Sequence, residues 1–277
     1  MSKDDYRQTL GYPHRITHGR TVCYFRDLPD APVMAGMQAW LSQPLQTRVS
    51  AEQVPGDGLS LFGKRVRVGK LSKRIRSTRG LPKRDGTYDW LVEEMINTAE
   101  ANVRGARVPE LVGYGYTRSS LGLVTEQFLV TRMLQGYVDG AQWLRTHPGS
   151  VHELIATLFA MLKALYDKGI SHMDLWAGNL MIADDPSEPA MVIDLENCFT
   201  TPPQHLPELL ALQMSLPYRC SLYAYITEAD YDRLVYETLW TYGDIDLGRF
   251  APLYAQAKHQ RITNEARRPI FTKGRLE

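Results

Sequence analysis

Apolar and polar positions along the chain change their period near its middle, and the change divides it into a strand-rich half and a helix-rich half. In the first half, Thr21 to Phe25 reads as a short strand and residues 31–41 as a short helix. From Gln46 onward, short alternating runs punctuated by glycine carry the period-two signature of strands. Pro55-Gly56-Asp57-Gly58 marks a turn, Val66-Arg67-Val68 alternates, Gly69-Lys70 fits a two-residue hairpin turn, and residues 71–75 resume the strand. Residues 89–101 have helical composition, with Trp90, Leu91, Met95 and Ile96 at apolar positions. Val108-Pro109 ends that connection, and residues 111–117 and 123–134 follow as strands.

The second half opens on the clearest helix, residues 151–168. There Leu154, Leu158, Met161, Leu162 and Leu165 recur at three- and four-residue spacing, with Gly169 at the stop position. Two apolar strands, 179–183 and 190–195, flank a polar turn, and helices rich in leucine and tyrosine follow Pro202-Pro203. Strands first and helices later predict an α+β fold with two lobes, a small mostly β N-lobe and a helical C-lobe. The expected division is an N-terminal extension over 1–45, an N-lobe over 46–134 and a C-lobe over 135–277, with the linker within 132–140. No repeat or low-complexity segment interrupts it.

Composition narrows the class. A 277-residue chain with 44% hydrophobic and 23% charged residues is an ordinary globular one with a substantial core. Its net charge of +1 argues against a dedicated nucleic-acid binder. Cys23, Cys198 and Cys220 are odd in number and form no CxxC pair, which fits thiols acting as small buried hydrophobes in a reducing compartment. The first ten residues lack a signal-peptide core, and no run of about 18 apolar residues occurs. These features lead us to expect a cytoplasmic protein, with peripheral contact at the inner membrane left open.

The chemistry is carried by His172-Met173-Asp174-Leu175-Trp176-Ala177-Gly178-Asn179 and, fifteen positions later, Asp194 within Val192-Ile193-Asp194-Leu195-Glu196. This arrangement resembles the catalytic loop and metal-binding strand of the protein-kinase-like superfamily, H-x-D-x-x-x-x-N followed by a metal-binding Asp. The surrounding elements agree: an amphipathic helix leads in, and a strand, a turn and a second strand lead to Asp194. The resemblance implies ATP and magnesium as cofactors. Asn179 and Asp194 would be the hard oxygen ligands of the metal, and Asp174 the carboxylate that orients the acceptor hydroxyl and takes its proton. His172 would pack and hydrogen-bond within the loop.

The same resemblance calls for a strand lysine on the phosphates and a helical glutamate paired with it. Lys73 is the expected lysine, following the proposed turn with Leu71 on its face, and Lys64 and Lys70 remain alternatives. Glu94 is the expected glutamate, with Glu93 beside it. Gly56, Gly58 and Gly63 could form a flap over the phosphates, although their spacing departs from G-x-G-x-x-G. Phe128 to Leu134, with Met133, would be the strand and hinge whose backbone grips adenine; a plain buried strand fits those residues equally. Gly58 to Lys64 also matches the start of a P-loop. Arg65 stands where that motif needs Ser or Thr, and a strand pattern follows instead of a helix, so the P-loop reading is rejected.

Among kinase-like families, the chain looks most like the bacterial lipopolysaccharide-core (heptose and Kdo) kinases. The resemblance lies in Lys73-Arg74-Ile75-Arg76, Val108-Pro109 through Gly113-Tyr114-Gly115, Phe128 to Thr131, and the loop and Asp194 strand. It implies a phosphotransferase acting on a hydroxyl of a lipopolysaccharide-core sugar. Asp194 is followed by Leu195-Glu196 rather than Phe-Gly, and no Ala-Pro-Glu follows, which disfavours a protein kinase. Choline- or aminoglycoside-like small-molecule kinases and a nucleotide-binding pseudokinase stay as alternatives. Glu196 could assist metal or acceptor, or be a surface carboxylate. Ten Lys or Arg and no acid lie between Lys64 and Arg84; this patch could meet an anionic glycolipid or membrane surface, bind nucleic acid, or be a solvated loop. Trp176 is expected near the acceptor, and Trp143 and Trp240 in the core.

Overall fold

The computed structural model describes residues 11–56, 59–84 and 86–276, so the turn residues Asp57 and Gly58 and the N-terminal ten lie outside it. The chain divides into two compact units, one of residues up to 102 with 109–135, the other of 103–108 with 136–277.

The first unit is built on a six-stranded antiparallel sheet. Its strands are β1 (His14–His18), β2 (Thr21–Phe25), β3 (Val49–Val54), β4 (Leu61–Arg67), β5 (Leu111–Arg118) and β6 (Val124–Arg132), in the order β1-β2-β5-β6-β4-β3. Both faces are covered, which explains why β2 is an unbroken apolar run instead of an alternating one. Val22 and Tyr24 join one core with Leu91, Met95 and Ala99 of α3 (Trp90–Val103). Cys23 and Phe25 join the other with Val33, Met37 and Trp40 of α1 (Ala31–Ser42). Burial pushes the Cys23 thiol up to about 11, so it packs as a hydrophobe.

Helix α1 forms because Asp30 caps it, its carboxylate accepting from the Val33 N–H at 2.9 Å, and because Pro32 suits the first turn. Its far end is held by the buried Arg65, which donates to the Trp40 and Gln43 carbonyls at 2.7 and 3.0 Å. Two glycines allow close approach. A Cβ on Gly36 would stand 2.1 Å from the Pro55 carbonyl oxygen, and one on Gly63 would stand 2.4 Å from the Trp40 ring. Residues 11–45, expected as an extension, thus supply two strands and a helix to this unit. Gly63, expected in a flap, is instead the floor under Trp40.

One expected element changes type. Residues 71–75, read as a strand after a hairpin turn at Gly69-Lys70, belong to helix α2 (Leu71–Arg79), and Lys70 is its N-cap. Leu71 and Ile75 are four apart, a spacing that satisfies both periods. Gly80 settles the end: at φ +65 it takes the left-handed position, and its N–H returns to the Arg76 and Ser77 carbonyls.

The second unit is mostly helical. Helices α4 (Gly140–Thr146) and α5 (Val151–Asp167) precede the loop region, and α6 (Leu206–Cys220), α7 (Glu228–Leu239), α8 (Leu247–His259) and α9 (Asn264–Lys273) follow it. Helix α5 buries Leu154, Leu158, Met161, Leu162 and Leu165, each removal from water contributing about 1.5–3 kcal/mol. It stops at Gly169, φ +68, where the Ile170 N–H returns to the Leu165 carbonyl. Two small antiparallel ladders lie between these helices: β7 (Tyr137–Asp139), β9 (Leu180–Ala183) and β10 (Met191–Val192) in the order β10-β9-β7, and β8 (Ser171–His172) with β11 (Cys198–Phe199). Helix α6 packs against α8 and α9. Among the described residues no helix is long and apolar enough to cross a membrane.

Candidate active site

In the second unit, the residues singled out by spacing form one hydrogen-bonded arrangement. Their frame is two antiparallel pairings. His172 on β8 lies opposite Cys198 on β11, and Leu180 on β9, one residue beyond Asn179, lies opposite Val192 on β10. His172 is fully buried, and that desolvation holds its pKa below the usual 6.5, so the ring is neutral. Its tautomer follows from its partners. Nδ1 accepts the Asp174 N–H at 3.1 Å, so the proton sits on Nε2, which donates to the Ile193 carbonyl at 3.2 Å. The imidazole therefore fixes the start of the loop to the residue before Asp194. It is not a base.

Asn179 is oriented just as firmly. Its side-chain nitrogen donates to the Asp174 carbonyl at 2.9 Å, which turns its oxygen into the group presented to a cation. The Asn179 carbonyl accepts the Ile193 N–H at 3.0 Å, bringing the two metal-ligand candidates onto neighbouring backbone. Asp194 itself is the one non-glycine residue with positive φ among the described residues, at φ 67, ψ 58. A left-handed aspartate costs of order 1–3 kcal/mol, a strain found mostly where function requires it. Two hard oxygen donors held this way fit a magnesium ion.

Asp174 keeps about 20% side-chain exposure, and its Oδ1 pairs at 2.6 Å with Nη1 of the buried Arg267 on α9. Nothing in the sequence pattern around Arg267 singles it out. Glu196 accepts from the side chains of Asn197 and Asn264. The Trp176 ring is half-buried and folds over Gly178, where a Cβ would stand 2.5 Å from it. Of the other two tryptophans, Trp143 stacks on His147 at 4.9 Å, while Trp240 is 81% exposed and so is not core.

The first unit holds the lysine–glutamate pair, but with a different lysine. Lys64 Nζ lies 2.6 Å from Glu94 Oε1, both side chains being largely buried at 19% and 6% exposure. Lys64 sits within β4, opposite Ala51 and Leu129, a strand position that also removes any P-loop geometry. Lys73, expected on a strand against Glu94, is on helix α2 with Nζ 3.7 Å from Asp89. The correction follows from α2 being a helix, which turns its lysines away from the sheet's ladder. Lys70 caps that helix, and Glu93 accepts the Tyr88 N–H.

Met133 donates its N–H to the Ser60 carbonyl at 3.0 Å, so that donor is engaged within the unit. A cavity of about 380 Å³ opens on the α3 side of the sheet, walled by Tyr24, Tyr114, Tyr116 and the end of α2. Lys64, Glu94 and Met133 are not on its wall.

The expected basic patch is also thinner than its sequence. Arg76 Nη2 donates to both Asp89 carboxylate oxygens at 2.9 Å, Arg74 donates to the Val68 carbonyl, Arg67 to the Leu45 carbonyl, and Arg65 is buried. Arg67, Lys70, Arg79, Lys83 and Arg84 remain exposed.

A family model, the lipopolysaccharide kinase (Kdo/WaaP) family, matches residues 57–236, well over half of the chain. The chain belongs to this family. It is an enzyme, a kinase, and its α+β fold is kinase-like. No curated protein matches the sequence. Among solved structures, WaaP in complex with acyl carrier protein is similar over 81% of this chain and 90% of that one, with a TM-score of 0.52 and 17% identity. That likeness shows the fold. A Stt7 homolog from Micromonas algae, soaked with ATP, is similar over 68% of this chain and 49% of that one, at a TM-score of 0.37 and 12% identity, too distant to carry an argument. The Kdo/WaaP match spans Lys64, Glu94, Asp174, Asn179 and Asp194, and leaves β1, β2, α1 and α9 outside it.

Proposed function

We propose that this lipopolysaccharide kinase transfers the γ-phosphate of ATP, with magnesium, to a hydroxyl of a core sugar. The observation that carries the reading is the set of hydrogen bonds through which His172, Asn179 and the Ile193 backbone hold Asp174 and Asp194 in place. In this account Asp174 orients the acceptor hydroxyl and receives its proton at a carboxylate oxygen. Asn179 and Asp194 hold the metal, whose charge offsets that of the β- and γ-phosphates. Lys64, kept extended by Glu94, takes the phosphate-binding role first assigned to Lys73. Met133 contributes its backbone to the adenine. The transition state of phosphoryl transfer is loose, so positioning supplies most of the rate.

The acceptor is an anionic glycolipid in this reading, and the four exposed cations from Lys70 to Arg84 are suited to meet it or the surrounding membrane surface. That surface is the cytoplasmic side of the inner membrane, where ATP is at hand. An acyl carrier protein is a further candidate partner, because the neighbouring WaaP structure contains one. A kinase of a soluble cationic amine is the less suited alternative, since a cation needs an acidic partner surface and the notable exposed cluster is basic.

Nucleotide binding measured by calorimetry with and without magnesium tests the metal assignment. Wild-type protein is expected to bind ATP more tightly with magnesium, and Asp194→Ala to lose that gain. Equal binding by both proteins, unaffected by magnesium, would remove Asp194 from the metal site.

A further inference from the structure

Helix α9 lies outside the matched family region, yet it reaches the centre of the catalytic loop. Arg267 is 6% exposed as a residue. Its Nη1 lies 2.6 Å from Asp174 Oδ1 and 3.5 Å from the Met173 carbonyl. Around it, the same helix holds the segment that follows Asp194. Phe271 stacks on Phe199 with ring centroids 3.8 Å apart and planes within 2°, and the Arg268 guanidinium lies 4.8 Å from the centroid of the same Phe199 ring. Asn264 donates to Glu196.

Stability does not account for the arginine. Desolvating a guanidinium and a carboxylate offsets most of their attraction, so a buried pair contributes little net stability. Arg267 Nε is buried and finds no hydrogen-bond partner among the described residues, which costs a further ~1–3 kcal/mol. Function supplies a reason. From His172 to Asn179 the loop contains no lysine or arginine. A carboxylate that must sit beside a triphosphate needs a cation to remain in place against like-charge repulsion.

We propose that Arg267 is a positioning residue: it clamps one oxygen of Asp174 so that the other faces the acceptor hydroxyl, and α9 is thereby part of the catalytic apparatus. The inference rests on the phosphotransferase reading above. Because Arg267 acts through Asp174, its loss should lower turnover and leave nucleotide affinity alone.

The test is steady-state transfer of labelled γ-phosphate from ATP to purified lipopolysaccharide by wild type, Arg267→Gln and Arg267→Lys. ATP binding and thermal midpoint are measured on the same preparations. Arg267→Gln is expected to lose on the order of 100-fold in kcat, the scale of a misplaced reactive group. Its KM and binding constant for ATP should stay within about twofold. Arg267→Lys, which restores the charge without the fork, should recover part of the loss. Arg267→Gln with wild-type kcat overturns the inference, and so does a loss of kcat matched by lost ATP binding and not relieved by lysine. A wild type that binds ATP and labels no lipopolysaccharide overturns the proposed acceptor and this inference together.

Discussion

At the scale of single residues, the loop motif was legible because its members are close in sequence and its roles need fixed residue types. His172, Asp174, Asn179 and Asp194 fall within a short stretch, and the structure joins the first three by hydrogen bonds and ties them to Ile193, the residue before Asp194. The lysine was not legible in the same way. Lys64, Lys70 and Lys73 share one basic run, and choosing among them required knowing where the strand stops. Arg267 was hidden by distance, its contact with Met173 spanning 94 positions. The signal it did leave is a basic pair, Arg267-Arg268, in an otherwise ordinary amphipathic helix, which alone points to nothing. The two lysines can be separated by substitution. Lys64→Met should lower kcat/KM for ATP by at least about tenfold, since it removes a charge-assisted contact worth ~1.5–3 kcal/mol. Lys73→Met, which breaks only a half-exposed pair with Asp89, should stay within about threefold of wild type. The reverse order, measured under identical conditions, would return the role to Lys73.

At the scale of elements, strong periodicity predicted well and weak periodicity did not. Helix α5 and strands β2, β5 and β6 were visible because long apolar patterns leave one solution. Helix α2 was misread because Leu71 and Ile75 serve two periods and because its polar residues are satisfied by Asp89, a partner further along the chain. Strand β1 was missed because it is an edge strand with largely exposed residues, whose pairing depends on its neighbour instead of pattern. The fit of α1 on the sheet has a sharp steric test. Gly63→Ala places a methyl 2.4 Å from the fully buried Trp40 ring and should destabilise the protein by about 1–3 kcal/mol in denaturant unfolding. Gly149→Ala, at a position open to solvent with nothing within 4 Å, serves as the control and should be near neutral. An unchanged midpoint for Gly63→Ala would mean that α1 does not seat on β4 as described.

At the scale of the molecule, the two-part α+β organisation was readable from the order of periods, and the break between Gln135 and Gly136 falls inside the expected linker. Residues 103–108 could not be placed from sequence. They count with the second unit because Arg104 donates to the Lys168, Gly169 and Thr200 carbonyls, and Arg107 accepts the Val192 N–H. The regions beyond the family match contribute to both units. One end completes the sheet of the first unit, and the other brings Arg267 to Asp174.

The central claim is that this assembly phosphorylates a lipopolysaccharide sugar, and one measurement addresses it directly. Cell-envelope extract is incubated with γ-labelled ATP, magnesium and either wild type or Asp174→Ala, then separated into glycolipid, protein and small-molecule fractions. The account predicts label in the glycolipid with wild type, its loss with Asp174→Ala, and ATP binding retained by that variant. Label appearing in the small-molecule or protein fraction instead, or persisting in glycolipid with Asp174→Ala, would contradict it.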